Sequence, residues 1–201
     1  MRTVIVGDVH GCRRELEQLL DRVRFSSGDR LVFVGDLIAR GPDTRGVLDI
    51  ARSTGALVVR GNHEQKLLDW REGLDEDEAV VLGRTHMEVA RAMRDCDWAL
   101  LETSALWIDL PEHGARVVHA GVLPGVAIED QHPHTLMHIR TVGVHNPKKS
   151  SAKANGIPWA SLYRGPPQIV YGHNALAGLQ LHPWATGLDS ACVYGGRLTA
   201  M

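Results

Sequence analysis

Five short apolar runs in this chain end alike, with a small residue beside a polar side chain, and this repetition strongly constrains the fold. The first three end in VGD, VGD and RGN, at Asp8, Asp36 and Asn62. The last two end in VVHAG and YGH, at His119 and His173. In open α/β sheets, ligands bind in the crevice beyond the carboxyl ends of the strands. If the five runs are strands of one core, their polar groups converge there.

Helical spacing of leucines predicts α-helices between the first strands. The strand candidates 3–6, 31–34 and 56–59 alternate with the helix candidates 13–22, 44–52 and 64–70. This alternation predicts βαβ units and a mainly parallel sheet. Further strand candidates follow at 106–110, 116–119 and 169–171.

Residues 72–103 interrupt the alternation and are mostly helical in pattern, with an acid-rich start. We expect one domain over 1–201, in which 72–103 is a helical insertion that overhangs the site. The chain has 201 residues, of which 44% are hydrophobic and 23% charged. That length and composition suit a globular fold with a sizeable core.

Charge and cysteine content exclude several classes of protein. The formal net charge of -2 does not favour non-specific nucleic-acid binding or attachment to a membrane surface. Three cysteines are too few, and odd in number, for a disulfide framework. The first apolar run is too short for a signal sequence, and no run reaches the roughly 20 apolar residues of a membrane span. We therefore expect a cytoplasmic protein, and the oligomeric state stays open.

The polar groups at the strand ends match the ligand preferences of divalent metal ions. Carboxylate, imidazole and amide oxygen suit manganese, iron, cobalt or zinc, and the absence of a thiolate argues against a structural zinc site. Taken alone, GDVHG, which contains Asp8 and His10, could simply form a polar turn that caps the next helix. The five motifs together favour a metal site.

The motifs GDVHG, GDLIARGPDT, GNHE, VHAG and YGHN resemble the signature set of the calcineurin-like metallophosphoesterases. The resemblance spans residues 4–196 and implies an α/β/β/α sandwich of two sheets flanked by helices. Within the phosphoprotein phosphatase superfamily, GDLIARGPDT and GLDSACVYGGRLTA are similar to the ApaH-like branch, although Ala191 replaces a family glycine. That branch hydrolyses diadenosine tetraphosphate symmetrically.

The resemblance also implies two divalent metal ions, with manganese as first choice and cobalt, iron or zinc as alternatives. The implied ligands are Asp8, His10, Asp36, Asn62, His119 and His173. The first three would hold one ion and the last three the other, with Asp36 bridging both. Two ions about 3.5–4 Å apart can share a water molecule, which then attacks phosphorus as hydroxide.

In the family that this chain resembles, the histidine at the position of His63 protonates the leaving oxygen. An ordinary imidazole pKa of about 6.5 suits that role. Arg40, Asn62 and Arg140 are the implied phosphate-binding residues, although a solvated arginine is the alternative for Arg140. Ala39 stands where protein phosphatases carry an aspartate that orients this histidine. His63 therefore either has another partner here or is less well oriented.

The expected function is cleavage of diadenosine tetraphosphate, a small-molecule phosphate, into two molecules of ADP. A serine/threonine phosphoprotein phosphatase or a polyphosphatase is the alternative, and a non-catalytic module of the same fold would have lost ligands. His132, His134 and His138 stay unassigned. The i,i+4 spacing of the last two can hold a metal ion, but a solvated helix face is the favoured interpretation.

Overall fold

The computed structural model describes residues 1–73, 80–143, 150–151, 153 and 155–201. Residues 74–79, which belong to the predicted insertion and carry its acidic run, lie outside the described residues. The helices of the described part are α1 (Arg13–Arg22), α2 (Thr44–Ser53), α3 (Asn62–Glu72), α4 (Arg84–Ala92), α5 (Asp95–Glu102), α6 (Pro133–His138) and α7 (Trp159–Leu162). Within that same part, no helix combines the length and the apolar character needed to cross a membrane.

The strands form three sheets. They are β1 (Thr3–Val6), β2 (Arg30–Phe33), β3 (Leu57–Val58), β4 (Trp107–Leu110), β5 (Ala115–Val118), β6 (Thr141–Val142), β7 (Ser150–Ser151), β8 (Ile157–Pro158), β9 (Gln168–Tyr171), β10 (Gln180–His182) and β11 (Ala185–Gly187). The first sheet has the order β1-β2-β3 and is parallel. The second has the order β10-β11-β9-β5-β4, with β9 parallel to both β5 and β11. The small third sheet, β7-β6-β8, is antiparallel.

Alternate residues of each strand pack into different cores, which sets the order of the layers. In β1, Ile5 faces a central cluster, while Val4 and Val6 join a second cluster with α1 and α2. In β9, Val170 lies in the same central cluster, whereas Ile169 packs with the residues around α6 and α7. Because successive side chains of a strand point to opposite faces, the two main sheets stack on each other with helices outside both. The predicted α/β/β/α sandwich is confirmed, with the third sheet as an addition.

Several local predictions agree closely with the structure. The first strand and first helix begin and end where the pattern placed them, and α2 runs one residue beyond its predicted end. Residues 72–103 contain α4 and α5 in their described part. The pattern of residues 192–201 predicts a terminal hairpin and no contact with the first strand, yet Met201 and Ile5 exchange backbone hydrogen bonds of 2.9 Å. Long-range pairing of this kind has no local signal.

A buried carboxylate ties α5 to α2. The side chain of Asp97 is fully buried against the guanidinium groups of Arg52 and Arg94, and Arg94 Nε donates to Asp97 Oδ2 at 2.8 Å. Burial alone raises the pKa of a carboxyl, but the hydrogen bonds from Arg94 and Arg52 outweigh it and lower the pKa of Asp97 to about 2. The ionised form of Asp97 therefore stabilises the folded chain.

We expect acid to weaken the fold through Asp97. An unfolded aspartate has a pKa of about 3.9, so this contribution, up to about 2 kcal/mol, is complete above pH ~4 and lost as pH falls towards ~2. Denaturant unfolding across this range measures it: Asp97→Asn should be less stable near neutral pH and less sensitive to acid. Asp95→Asn, an exposed change on the same helix, is the control. Equal acid sensitivity of wild type and Asp97→Asn would contradict the assignment.

Candidate active site and metal centre

The polar residues that follow the strands meet at one end of the sandwich, around a cavity of about 440 Å³. All predicted site residues except Asp8 and His119 line it, and these two are buried, with exposed fractions of 3% and 0%. The predicted residues at the cavity are His10, Asp36, Arg40, Asn62, His63, Arg140 and His173. The structure thus brings together residues separated by up to about 165 positions in the chain.

Two candidate metal-binding triads share Asp36. They are His10, Asp36 and His63, and Asp36, His119 and His173, with the ligand atoms of each triad within 4.8 Å of one another. Asp36 Oδ2 lies 3.5 Å from Nε2 of both His10 and His119. Burial raises the pKa of a carboxyl, but the imidazoles around Asp36 outweigh that effect and hold its pKa below the ordinary range.

Hydrogen bonds fix the orientation of two of the imidazoles. Nδ1 of His10 lies 3.0 Å from the carbonyl oxygen of Ile38, and Nδ1 of His119 lies 3.0 Å from that of Val34. A carbonyl only accepts, so each Nδ1 must carry the proton, which leaves an Nε2 lone pair on each neutral ring. These lone pairs point at the Asp36 carboxylate. Electron-rich nitrogen and oxygen atoms that face one another in a buried site repel, and a cation bound between them would remove that repulsion.

Asn62 and His173 complete the second half of this arrangement. Asn62 Oδ1 lies 3.1 Å from His119 Nε2 and 2.9 Å from His173 Nδ1. Nε2 of His173 is buried and finds no hydrogen-bond partner among the described residues. Burial lowers the pKa of His173 to about 2, so the ring is neutral and its lone pair is available. Neutral imidazole is the form that binds metals, and the donor set fits divalent ions.

Backbone strain is concentrated in the same loops. His10, Asp36 and His173 have φ angles of 47°, 50° and 68°, in the left-handed region that side chains usually avoid. Each such residue costs of order 1–3 kcal/mol, a strain that commonly marks functional sites. Glycine is required where a loop closes on a carboxylate: a Cβ on Gly61 would lie 2.2 Å from Asp36 Oδ1.

Asp8 lies at this end of the sheet but belongs to neither triad within the described part of the chain. Both oxygens of its carboxylate lie 3.1 Å from the backbone nitrogen of His173, which donates to them. Burial, together with the nearby Asp189 carboxylate, raises its pKa. Its role as a ligand of the first ion stays a prediction.

Sequence reasoning missed Asp189, which is 6% exposed and lines the cavity. Its Oδ1 accepts the backbone N–H of Ala191 at 3.1 Å, and burial raises its pKa. Its position could have indicated it: Asp189 follows the end of strand β11 by two residues, just as Asp8 follows the end of β1.

The role of Glu64 was also missed, although it stands in the GNHE motif. This side chain is completely buried and accepts four hydrogen bonds, from the backbone N–H groups of Asp36 at 2.8 Å, of Leu37 and Gly61 at 2.9 Å and of Ile38 at 3.3 Å. Burial and the neighbouring Asp36 raise the pKa of Glu64, but the N–H donors on both oxygens favour its ionised form. Glu64 thereby connects the loop that follows β2, which holds Asp36, to the loop that follows β3, which holds Gly61.

His63 is the member of the first triad that is not among the predicted metal ligands. Its Nε2 lies 4.0 Å from Asp36 Oδ2, and its backbone N–H donates to Asp36 Oδ1 at 3.1 Å. Burial lowers its pKa to about 3. Its Nδ1 has no hydrogen-bond partner among the residues described, and the buried Ala39 side chain has no polar atom to offer. The ring of a second histidine, His86, stacks on it instead.

Arg40 lies at the rim of the cavity. Its Nη1 is 3.4 Å from His10 Nε2 and also donates to the hydroxyl of Tyr194, and the guanidinium lies over the Tyr194 ring, 5.5 Å from the ring centroid. This position beside the triads suits the binding of phosphate oxygens. Arg140 lines the same cavity.

The histidines left unassigned lie on and before α6. His132 precedes the helix, and its Nδ1 accepts the N–H of His134 at 3.1 Å. His134 stacks on His138 with ring centroids 4.1 Å apart, and His138 lies 6.1 Å from His173. His132 and His134 are exposed, as a solvated face requires. His138, half-buried beside His173, departs from that interpretation.

Comparison with known proteins agrees with this geometry. The profile of the calcineurin-like phosphoesterases matches residues 1–198. The chain belongs to this family. A crystal structure of a protein provisionally assigned as a diadenosine tetraphosphatase is 39% identical to this phosphoesterase, with a TM-score of 0.89 over 99% of this chain and 87% of that one.

Two further relatives of this phosphoesterase carry names that differ in one respect. The bis(5'-nucleosyl)-tetraphosphatase PrpE of Oceanobacillus iheyensis, named asymmetrical, is 29% identical over 100% of this chain and 88% of its own length. A bis(5'-nucleosyl)-tetraphosphatase of Coxiella burnetii, named symmetrical, is 29% identical over 99% of this chain and 87% of its own length. Identity therefore does not decide between the two modes of cleavage.

Proposed function

We propose that this phosphoesterase hydrolyses diadenosine tetraphosphate, and that it cleaves symmetrically to give two molecules of ADP. The observation that carries the proposal is the pair of triads sharing Asp36 at the floor of a cavity whose rim holds Arg40 and Tyr194. The candidate metal-binding groups at the floor suit a phosphoryl group. The cationic and aromatic side chains at the rim suit the rest of a nucleotide. The names of the relatives support the same substrate class.

The proposed cofactors are two divalent metal ions, with manganese as first choice. The residues that would hold them are Asp8, His10, Asp36, Asn62, His119 and His173. When bound, such ions polarise phosphoryl oxygens and lower the pKa of water to about 7. The buried lone pairs of His10 and His119, and the approach of His119 Nε2 and His173 Nδ1 to Asn62 Oδ1, are the features of this chain that support them.

The remaining groups bind the substrate and supply a proton. Arg40 and Arg140 are cationic groups at the cavity, where they would hold phosphate oxygens, and Asn62 would assist them. His63 presents Nε2 towards Asp36 and the cavity. Its lowered pKa leaves the ring neutral in the free chain, and a bound phosphate anion would raise that pKa towards the protonated form that can donate to the leaving oxygen. The proposed cellular setting is the cytoplasm.

Two side chains at the cavity favour a nucleotide over the alternatives. Leu176 and Tyr194 line it with exposed fractions of 88% and 63%. An aromatic and an aliphatic side chain left in water beside a phosphate site suit contact with a nucleobase. Inorganic polyphosphate has no base with which to use them, so a polyphosphatase is the weaker candidate.

Product analysis tests the proposal. With manganese, purified protein should convert diadenosine tetraphosphate to ADP alone, as separated by ion-exchange chromatography. ATP plus AMP would contradict symmetrical cleavage while keeping the substrate. Faster turnover of a phosphopeptide or of inorganic polyphosphate would contradict the nucleotide substrate.

A further inference from the structure

Two buried histidine rings lie face to face beside the candidate metal centre. His63, near the start of α3, and His86, from α4, have ring centroids 4.8 Å apart and ring planes inclined by only 15°. Their exposed fractions are 6% and 8%. This contact connects the helical segment around α4 to the site, which no motif of the sequence indicates.

The ring of His63 is oriented differently from the neighbouring imidazoles. His10 and His119 each have Nδ1 at 3.0 Å from a backbone carbonyl oxygen, which fixes the plane of the ring. In the described ranges of the chain, neither Nδ1 of His63 nor Nε2 of His86 has a hydrogen-bond partner. The plane of His63 is therefore set by packing, with His86 on its face and the His10 ring at 75° to it.

Keeping two unpartnered nitrogens in one buried contact is costly. A buried polar group without a partner destabilises the fold, and such exceptions call for a functional explanation. An aliphatic side chain at position 86 would fill the space without that cost. A flat ring, in contrast, restrains rotation of its neighbour about χ2, a torsion that otherwise has a broad, two-fold preference.

We propose that His86 is a positioning residue that holds the His63 ring with Nε2 towards the cavity, 4.0 Å from Asp36 Oδ2. The inference rests on the proposed function, in which His63 donates the proton to the leaving group. Without His86, the His63 ring can turn and its Nδ1 can find water. The proton donor is then misplaced, although the predicted metal ligands and the phosphate-binding arginines are unchanged.

Two variants separate stacking from a general loss of structure. His86→Ala should lower kcat for diadenosine tetraphosphate by roughly 10–100-fold with little change in KM, because a misplaced proton donor affects turnover more than binding. His86→Phe keeps a flat ring and should stay within about threefold of wild type, by the same argument. Arg91→Ala, an exposed change on α4, is the matched control. Equal losses in both His86 variants would overturn the proposal.

The leaving group supplies a second readout. Phenol is a more basic leaving group than p-nitrophenol and depends more on protonation. The kcat of His86→Ala should therefore fall more on phenyl phosphate than on p-nitrophenyl phosphate, whereas a purely structural defect lowers both alike. An equal fall on both substrates would overturn the positioning role.

A measurement without turnover separates this proposal from the proposed function. In metal-free protein, the stacked ring of His86 shifts the imidazole C–H resonances of His63 in NMR spectra. His86→Ala should move these resonances, and His86→Phe should keep them displaced. Unchanged resonances in His86→Ala would overturn the contact. If wild type cleaves no phosphate substrate at all, the proposed function fails, and the spectra still test the ring contact.

Discussion

Replacing Glu64 with alanine is expected to lower the free energy of unfolding by about 4 kcal/mol and to abolish turnover. The carboxylate accepts four backbone N–H groups, three from the loop of Asp36, Leu37 and Ile38 and one from Gly61. These groups lie inside the protein, so removing the acceptor leaves all four donors without this partner. The two motif loops would separate, and the triads that share Asp36 would lose their geometry.

Glu64→Gln makes this test sharper because it conserves size. The amide has one oxygen where the carboxylate has two, so its NH₂ must face at least one backbone N–H. We expect a smaller loss of stability, about 2 kcal/mol, with turnover still strongly reduced. Glu72→Ala, an exposed change at the end of the same helix, should have little effect on either. Wild-type stability and turnover in Glu64→Gln would contradict the role assigned to this side chain.

Asp36→Ala should remove both metal ions and lower kcat by roughly 10³-fold or more, since bound metals supply several kcal/mol of transition-state stabilisation. Asp36 is the one carboxylate in both triads, and the other members are imidazoles. Without it, neither triad offers a negative charge to a dication. Metal analysis of protein loaded with manganese and then desalted measures the number of ions retained per chain.

His119→Ala is the matched variant for this experiment. His119 belongs to the second triad alone, so its loss should release one ion and leave the other bound. Wild type should retain about two ions, His119→Ala about one and Asp36→Ala none, following the proposed two-ion arrangement. Two ions retained by Asp36→Ala would refute the shared-ligand arrangement, and one ion in wild type would refute the dinuclear centre.

Convergence of the metal-ligand candidates could be predicted because parallel strands carry their carboxyl ends to one edge. Asp36 and Asn62 follow neighbouring parallel strands, and His119 and His173 follow the parallel pair β5 and β9. The sequence pattern did not indicate how the two sheets stack, yet stacking is what brings His119 Nε2 within 3.5 Å of Asp36. The rule that parallel strands end at one edge applies within a single sheet, whereas the contact between His119 and Asp36 joins two sheets.

The groups that support the site were harder to find. His86 belongs to no motif, and Asp189 and Tyr194 lie within GLDSACVYGGRLTA, where the sequence assigned them no role. Each becomes meaningful through a neighbour distant in the chain: His63 for His86, Asp8 for Asp189 and Arg40 for Tyr194. Such pairs have no periodicity that a sequence could reveal.

Local rules in the chain determined its helices, its buried strands and the polar residues at their ends, because hydrophobic periodicity and turn chemistry act over a few residues. The tertiary structure alone decided which nitrogen of each histidine faces the cavity, since that depends on distant carbonyls such as those of Val34 and Ile38. It also decided that His63 receives a stacked ring where no hydrogen-bond partner reaches it within the described residues. Orientation depends on packing between layers, and packing between layers is not encoded in any single segment.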